Sequence, residues 1–146
     1  MRAKIIAILM IAFCLLLPAA AGAQAHDEGA GLQRPVQVFD VTAGKVVKSV
    51  ANTKEYQAFA KKWLGSVTGL APQLTTDDKC GYVFRIPLDQ PATVRTAGLN
   101  VQTSDVFLFY CPDKPQLLLI FDENRRPYLL QFTADIKPFL RTIGIS

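Results

Sequence analysis

Histidine is the side chain on which hydrolytic triads, zinc centres and most acid–base schemes depend, and this chain of 146 residues has a single one, His26. His26 begins a polar, glycine-containing stretch (26–34), which predicts a flexible terminus and no metal or catalytic site. The phosphate-binding, dinucleotide-binding and nucleophile-elbow motifs are all missing from the sequence. We therefore expect no cofactor, no bound metal and no catalytic residue that a motif would reveal.

Carboxylates offer a second chemistry, because a sugar hydrolase needs only a pair of them and such a pair leaves no local motif. Glu28 lies in the polar stretch, Glu55 in the first turn of a predicted helix and Glu123 in a tight turn. None of these places favours a catalytic pair. A small extracellular hydrolase that uses two carboxylates stays an alternative function.

Arg125, Arg126 and Tyr128 are the candidate ligand-binding residues. They stand together at a predicted hairpin tip, and a planar guanidinium group can hold a carboxylate or phosphate through two hydrogen bonds. The competing interpretation is a solvated turn whose charges keep the strand ends soluble.

The N-terminus has the three parts of a secretory signal peptide. Arg2 and Lys4 precede an uninterrupted apolar run over residues 5–17, and Pro18 ends that run. The run is too short for a membrane-spanning helix, which needs ~20 residues. With cleavage after Ala25, we expect a secreted or otherwise extracytoplasmic protein that has no further contact with the membrane.

Two cysteines, Cys80 and Cys111, follow the predicted cleavage site, whereas Cys14 lies inside the signal peptide. Because export leads to an oxidising compartment, we predict a Cys80–Cys111 disulfide. A reactive thiol pair would more often show C-x-x-C spacing near a helix start.

The chain after cleavage suits one globular domain, which we place at residues 35–146 behind the flexible terminus at 26–34. Loss of Arg2 and Lys4 lowers the formal net charge from +4 to +2. A charge this small, without a basic cluster on one face, argues against nucleic acid as a partner.

A helix is predicted over about residues 53–65, with Asn52 and Glu55 as a capping box. Its apolar side chains form one continuous stripe: Tyr56, Phe59, Ala60, Trp63, Leu64 and Val67. Four polar residues lie off the stripe: Lys54, Gln57, Lys61 and Lys62. The stripe predicts packing against a sheet with Trp63 buried, and a ligand site lined by aromatic rings is the alternative.

A second, short helix is predicted over about residues 136–142, from apolar residues at helical spacing. Asp135 would cap this helix, and Pro138 would fall in its first turn, where the missing N–H costs nothing. Gly144 would end it.

Strands fill the rest of the domain. A hairpin before the first helix is predicted to turn at Gly44 with positive φ, and Pro87 places the end of one strand at an edge or a bulge. Residues 111–114 predict a type I turn. Because short turns join consecutive strands, we expect a single antiparallel sheet of about five to seven strands, which can be strongly curved. The fold class is then α+β.

Two of these strands are apolar on both faces. Phe107 and Phe109 alternate with Val106 and Leu108, and the run 117–121 has no polar residue. Such strands are normally covered on both sides. Either the sheet curls or the N-terminal hairpin folds across its back, or part of the second face receives a hydrophobic ligand, a peptide or a second copy of the chain.

The sequence thus predicts a small secreted protein that acts as a non-enzymatic binding or interaction domain through its sheet. The hydrolase is the first alternative, and a protease-inhibitor-like or chaperone-like domain is the second. The expected partner is a protein, a peptide or a small apolar ligand, and the expected state is a monomer or weak homodimer.

Overall fold

The computed structural model describes residues 33–72 and 81–145. The predicted signal peptide, His26 and Cys80 lie outside the described residues. The elements are, in chain order, β1 (Val36–Asp40), β2 (Lys45–Val50), α1 (Lys54–Gly65), β3 (Val67–Leu70), β4 (Tyr82–Thr96), β5 (Leu99–Tyr110), β6 (Leu117–Phe121), β7 (Pro127–Phe132) and α2 (Lys137–Ile143).

All seven strands form one sheet in the order β2-β1-β4-β5-β6-β7-β3, and every neighbouring pair is antiparallel. The predicted α+β class with a single antiparallel sheet is confirmed. The sheet also curves, because β4 approaches β3 although the two are not neighbours in the ladder. There the Thr96 hydroxyl donates to the Thr68 carbonyl over 3.3 Å.

The core lies on one face of the sheet, which we call the inner face. Its strand residues are fully buried: Val36, Val38, Phe84, Ile86, Val106, Leu108, Leu118, Ile120 and Leu130. Both helices pack on this face, where the Phe139 ring of α2 lies 4.8 Å from Trp63 of α1 and 5.0 Å from Phe84 of β4. Trp63 is fully buried, as the helical stripe predicts.

The predicted capping box of α1 is wrong. Thr53 occupies the N-cap position and makes no side-chain cap. The Asn52 amide instead donates to the carbonyls of Pro87, at 2.7 Å, and Arg34, at 3.1 Å. Asn52 therefore joins distant segments of the chain rather than starting the helix, a use that local spacing does not reveal.

Helix α2 follows its prediction closely, although it is shifted by one residue from 136–142 to Lys137–Ile143. Pro138 lies in the first turn, and Gly144 ends the helix with φ 74°. The Asp135 carboxylate accepts the Lys137 N–H over 3.0 Å, yet Ile136 holds the N-cap position.

The turns test the predicted backbone conformations. Gly44 has φ 65°, as expected for the first hairpin. The turn after β5 is not type I, because Asp113 at its third position has φ 67°, which belongs to type II. Pro87 lies at an irregularity, since four residues of β4 (88–91) stand against the single residue Ser104 of β5.

The predicted Cys80–Cys111 disulfide remains a prediction, and the backbone beside it supports the pairing. A Cβ atom on Gly81 would lie 2.9 Å from the Cα of Cys111, and consecutive Cα atoms are ~3.8 Å apart. Gly81, the next residue in the chain after Cys80, therefore lies beside Cys111. We expect no titratable thiol in unfolded, unreduced protein secreted by the cell, and reduction should lower stability by about 3–4 kcal/mol in the chain-entropy model. Two reactive thiols in that assay would contradict the disulfide.

Candidate functional site

The second face of the sheet, which we call the outer face, is the first part of the candidate site. Two rows of side chains cross it, Val46–Phe39–Val83–Phe109–Leu117 and Gln37–Arg85–Phe107–Leu119–Leu129. The residues of the central strands are half-buried, and Phe39 is 36% exposed.

No helix or strand of the described ranges forms a second layer on the outer face. Both helices pack on the inner face, and the β1–β2 hairpin extends the sheet at its edge. The prediction that this hairpin could fold across the back of the sheet is therefore wrong. The curvature that the sequence also allowed is present, but it wraps the sheet toward the helices and leaves the outer face outside.

A pocket of about 440 Å³ opens at one end of the outer face. The turn after β6 and the irregular segment of β4 and β5 form its walls. Six charged residues line it: Arg34, Arg85, Arg125, Asp105, Asp122 and Glu123. Phe107 and Phe121 line it as well, so the pocket is continuous with the apolar rows.

Asp105 stands at the centre of the pocket's charges. Its Oδ1 accepts from Nε of Arg85 at 2.9 Å, and its Oδ2 accepts from Nη2 of Arg34 at 3.1 Å. The Arg85 guanidinium also lies over the Phe107 ring, 5.8 Å from its centre, which is a cation–π distance. One carboxylate thus pairs with two guanidinium groups, and that of Arg85 also lies against an aromatic ring.

The turn after β6 is organised by Asp122. Its Oδ1 accepts the backbone N–H groups of Asn124 and Arg126, and its Oδ2 accepts Nε of Arg126 at 2.6 Å and the Tyr128 hydroxyl at 3.3 Å. These bonds, led by the Arg126 backbone N–H, lower the pKa of the Asp122 carboxyl below its ordinary value. The lowered pKa favours the ionised form of Asp122, and its hydrogen bonds to Asn124, Arg126 and Tyr128 stabilise the turn.

The three candidate ligand-binding residues separate in this turn. Arg126 and Tyr128 both bond to Asp122, and only Arg125 lines the pocket. Arg125 has φ 61°, a left-handed conformation. Its guanidinium makes no hydrogen bond or ion pair to any described residue. A role of the three in ligand binding stays a prediction, and the structure favours Arg125 over its two neighbours.

Sequence reasoning missed Arg34, Arg85 and Asp105. Arg34 falls at the end of the stretch predicted to be flexible, although its side chain reaches Asp105. A signal for Arg85 was available, because a lone arginine alternates with the apolar residues Phe84 and Ile86 on a strand. The pairing with Asp105 had no such signal, since it depends on the register between two strands.

Unused hydrogen-bond capacity shows which chemistry the pocket can offer. An arginine carries five N–H donors, and Arg34 and Arg85 share the single carboxylate of Asp105. Both oxygens of Asp105 and both of Asp122 are already engaged. The Glu123 carboxylate is the charged acceptor of the lining that has no partner among the described residues, against unused N–H groups on the three arginines that line the pocket. Donors therefore exceed acceptors, and a ligand that supplies oxygen acceptors would complete the pocket.

The part of the chain that the structure describes contains neither a cluster of metal ligands nor a candidate membrane span. Within 33–72 and 81–145, no three side chains of histidine, cysteine, aspartate or glutamate come together as a metal site. No helix in the same ranges has the length and apolar character that crossing a membrane requires.

The chain matches no protein-family model, and neither a curated protein nor a solved structure shows significant similarity to it.

Proposed function

We propose that the protein is a non-enzymatic binding domain that holds an anionic ligand in the pocket at the end of its outer face. The observation that supports this most directly is the Arg125 guanidinium, which lines the pocket without a carboxylate partner among the described residues. Arg34 and Arg85 add donors beside it, and Phe107 and Phe121 supply an apolar wall. Guanidinium groups bind carboxylates and phosphates in pairs of hydrogen bonds.

The charges in the pocket favour binding over hydrolysis. A glycosidase needs one carboxyl group that keeps its proton near neutral pH while its neighbour is ionised. Asp122 does not fit the proton donor, because its hydrogen bonds lower its pKa. Asp105 uses both oxygens in ion pairs with Arg34 and Arg85, so neither oxygen is free to act on a substrate. The hydrolase alternative would then depend on Glu123 alone.

Replacing Arg125 by asparagine tests the proposal. Asparagine tolerates the left-handed conformation of this position, so the variant removes the charge without new backbone strain. A titration of isotope-labelled protein with butanoate, followed by NMR, should shift the amide signals of Phe107, Phe121 and the turn after β6. Arg125→Asn should weaken binding roughly tenfold, as expected for loss of a charge-assisted hydrogen bond.

Arg95→Gln is the matched control, because Arg95 is an exposed arginine of β4 outside the pocket. It removes the same charge and should leave butanoate binding nearly unchanged. If Arg125→Asn and Arg95→Gln weaken butanoate binding equally, the effect comes from the net charge of the protein and not from a site at Arg125. No shift of the pocket amides at millimolar butanoate would contradict the proposed function.

A further inference from the structure

We propose that the ligand is a single-chain anionic amphiphile, bound as a free monomer with its acidic group in the pocket and its hydrocarbon chain along the outer face. This inference rests on the proposed function, because it takes the pocket as the site of the acidic group. It adds the chemical class of the rest of the ligand.

Continuity between the pocket and the apolar rows is the first argument. Phe107 and Phe121 line the pocket, and their rings meet edge to face at 5.7 Å. From Phe121 the outer side of β6 continues through Leu119 to Leu117, and β5 carries Phe109 opposite Leu117. The four residue steps from Phe121 to Leu117 span roughly 13 Å. An acidic group near Arg125 would therefore lie at the start of an apolar path.

The lack of polar groups along this path is the second argument. The backbone N–H and C=O groups of β5 and β6 are used in ladders with β4, β6 and β7, and the outer side chains beyond the pocket are Leu117, Leu119 and Phe109. An extended peptide laid across them would desolvate part of its backbone without new hydrogen bonds, which is unfavourable. A hydrocarbon chain has no such groups to satisfy.

The charged groups around the pocket also favour an acidic head group. Four guanidinium groups surround the pocket and its turn, those of Arg34, Arg85, Arg125 and Arg126, against the three carboxylates of Asp105, Asp122 and Glu123. The surplus is positive and the free hydrogen-bond capacity consists mainly of donors. A neutral hydrocarbon would leave these donors beside it without partners, whereas an acidic head group supplies acceptors.

A chain-length series tests the inference. Butanoate, hexanoate, octanoate and decanoate would be titrated below their aggregation limits by NMR. Because each methylene lies on an open face and is only partly buried, affinity should rise about twofold per added methylene. Perturbed signals should also spread from the pocket to Leu119, Phe109 and Leu117. Decanol, which lacks the charge, should bind more weakly than decanoate by roughly tenfold.

Two variants separate the head group from the chain. Leu119→Ser should reduce the gain in affinity from butanoate to decanoate, because it removes apolar contact along the path of the chain, whereas Arg125→Asn should weaken every member of the series alike. Leu70→Ser is the matched control, because Leu70 is 58% exposed on β3 and outside the two rows. Leu70→Ser should change neither the gain in affinity per methylene nor the affinity for butanoate.

The outcomes distinguish the two proposals. Equal affinities for butanoate and decanoate would overturn the amphiphile and leave the pocket as an anion site. Failure of all four acids to bind would overturn the proposed function as well. Binding to anionic phospholipid vesicles without binding to monomeric decanoate would point to a membrane surface instead. A dimer in sedimentation experiments that Leu119→Ser dissociates and decanoate does not would assign the outer face to a second copy.

Discussion

Trp63→Ala should lower the free energy of unfolding by roughly 3–5 kcal/mol, the range for removing a large aromatic side chain from a core. The Trp63 side chain is completely buried and joins three elements. Its ring stacks on Phe59 of the same helix at 6.4 Å, meets Phe139 of α2 edge to face at 4.8 Å and lies 6.5 Å from Phe132 of β7. Alanine would leave a cavity among all of these rings.

Trp63→Phe is the control that separates ring packing from the indole N–H. The Nε1 atom is buried and has no hydrogen-bond partner among the described residues, so phenylalanine loses no such bond and removes an unpaired donor. It should cost clearly less than alanine. Urea unfolding followed by circular dichroism measures both variants without depending on tryptophan fluorescence. An alanine variant within 1 kcal/mol of the parent protein would place the indole outside the packed core.

The inner core could be predicted because its signals are local and periodic. The aromatic stripe of α1 places Trp63 on the face that the structure buries. The alternation of β5 and β6 separates Leu108 and Ile120 from the residues of the opposite face, although both faces are apolar and the sequence does not show which of them is the core. A period of 3.6 or 2 follows directly from helix or strand geometry. Predictions from periodicity need no knowledge of which strands are neighbours.

Strand β3 shows where periodicity misleads. Val67 continues the helical spacing of the stripe, yet it begins β3 rather than extending α1. The change of direction is made by Ser66, whose hydroxyl donates to the Trp63 carbonyl at 2.9 Å and accepts the Ala134 N–H at 3.0 Å. The second of these bonds comes from the segment after β7, distant in sequence, and no local pattern announces it.

The pocket was less accessible to prediction than the core, for a related reason. Arg125 could be singled out because it belongs to a local cluster of arginines in one turn. The pairs that Asp105 makes with Arg85 and Arg34 span 20 and 71 positions of the chain. They depend on the register of β4 and β5, which shifts where residues 88–91 stand against Ser104.

Gln57 is the residue that holds this shifted segment, although it lies off the apolar stripe of α1. It is 4% exposed. Its amide nitrogen donates to the Pro87 carbonyl at 2.8 Å and to Oδ1 of Asn52 at 2.7 Å, and its carbonyl oxygen accepts the Asp89 N–H at 3.0 Å. Asp89 lies among the residues of β4 that have no partner in the ladder with β5, and the Pro87 carbonyl beside it also accepts the Asn52 amide. One side chain of α1 therefore bonds to two backbone groups of the irregular segment.

Gln57→Leu should therefore cost about 2–4 kcal/mol in stability. The substitution keeps a similar volume but places an apolar side chain against the part-buried Asp89 N–H and removes one donor each from the Pro87 carbonyl and Asn52. A polar group that loses its partner away from water costs about 1–3 kcal/mol. Since Pro91, Ser104 and Asp105 of the irregular segment line the pocket, their NMR signals should shift as well. Lys54→Leu, at an exposed position of the same helix, should change stability by less than about 0.5 kcal/mol.

Gln57→Glu gives a second test, because it replaces a neutral amide by a titratable group of the same shape. The carboxylate could still accept the Asp89 N–H, but it would face the oxygens of Pro87 and Asn52 in a buried place. Burial and these acceptors favour the protonated form, so the pKa of this glutamate should be raised in the folded state above its unfolded value of ~4.3. Its stability relative to the parent should be highest below that unfolded value and should fall as pH rises through the folded pKa. Urea unfolding at pH 4 and at pH 7 measures the difference.

A Gln57→Glu variant that is as stable as the parent at both pH values, together with a Gln57→Leu variant that costs under 1 kcal/mol, would show that the irregular segment of β4 does not depend on this side chain.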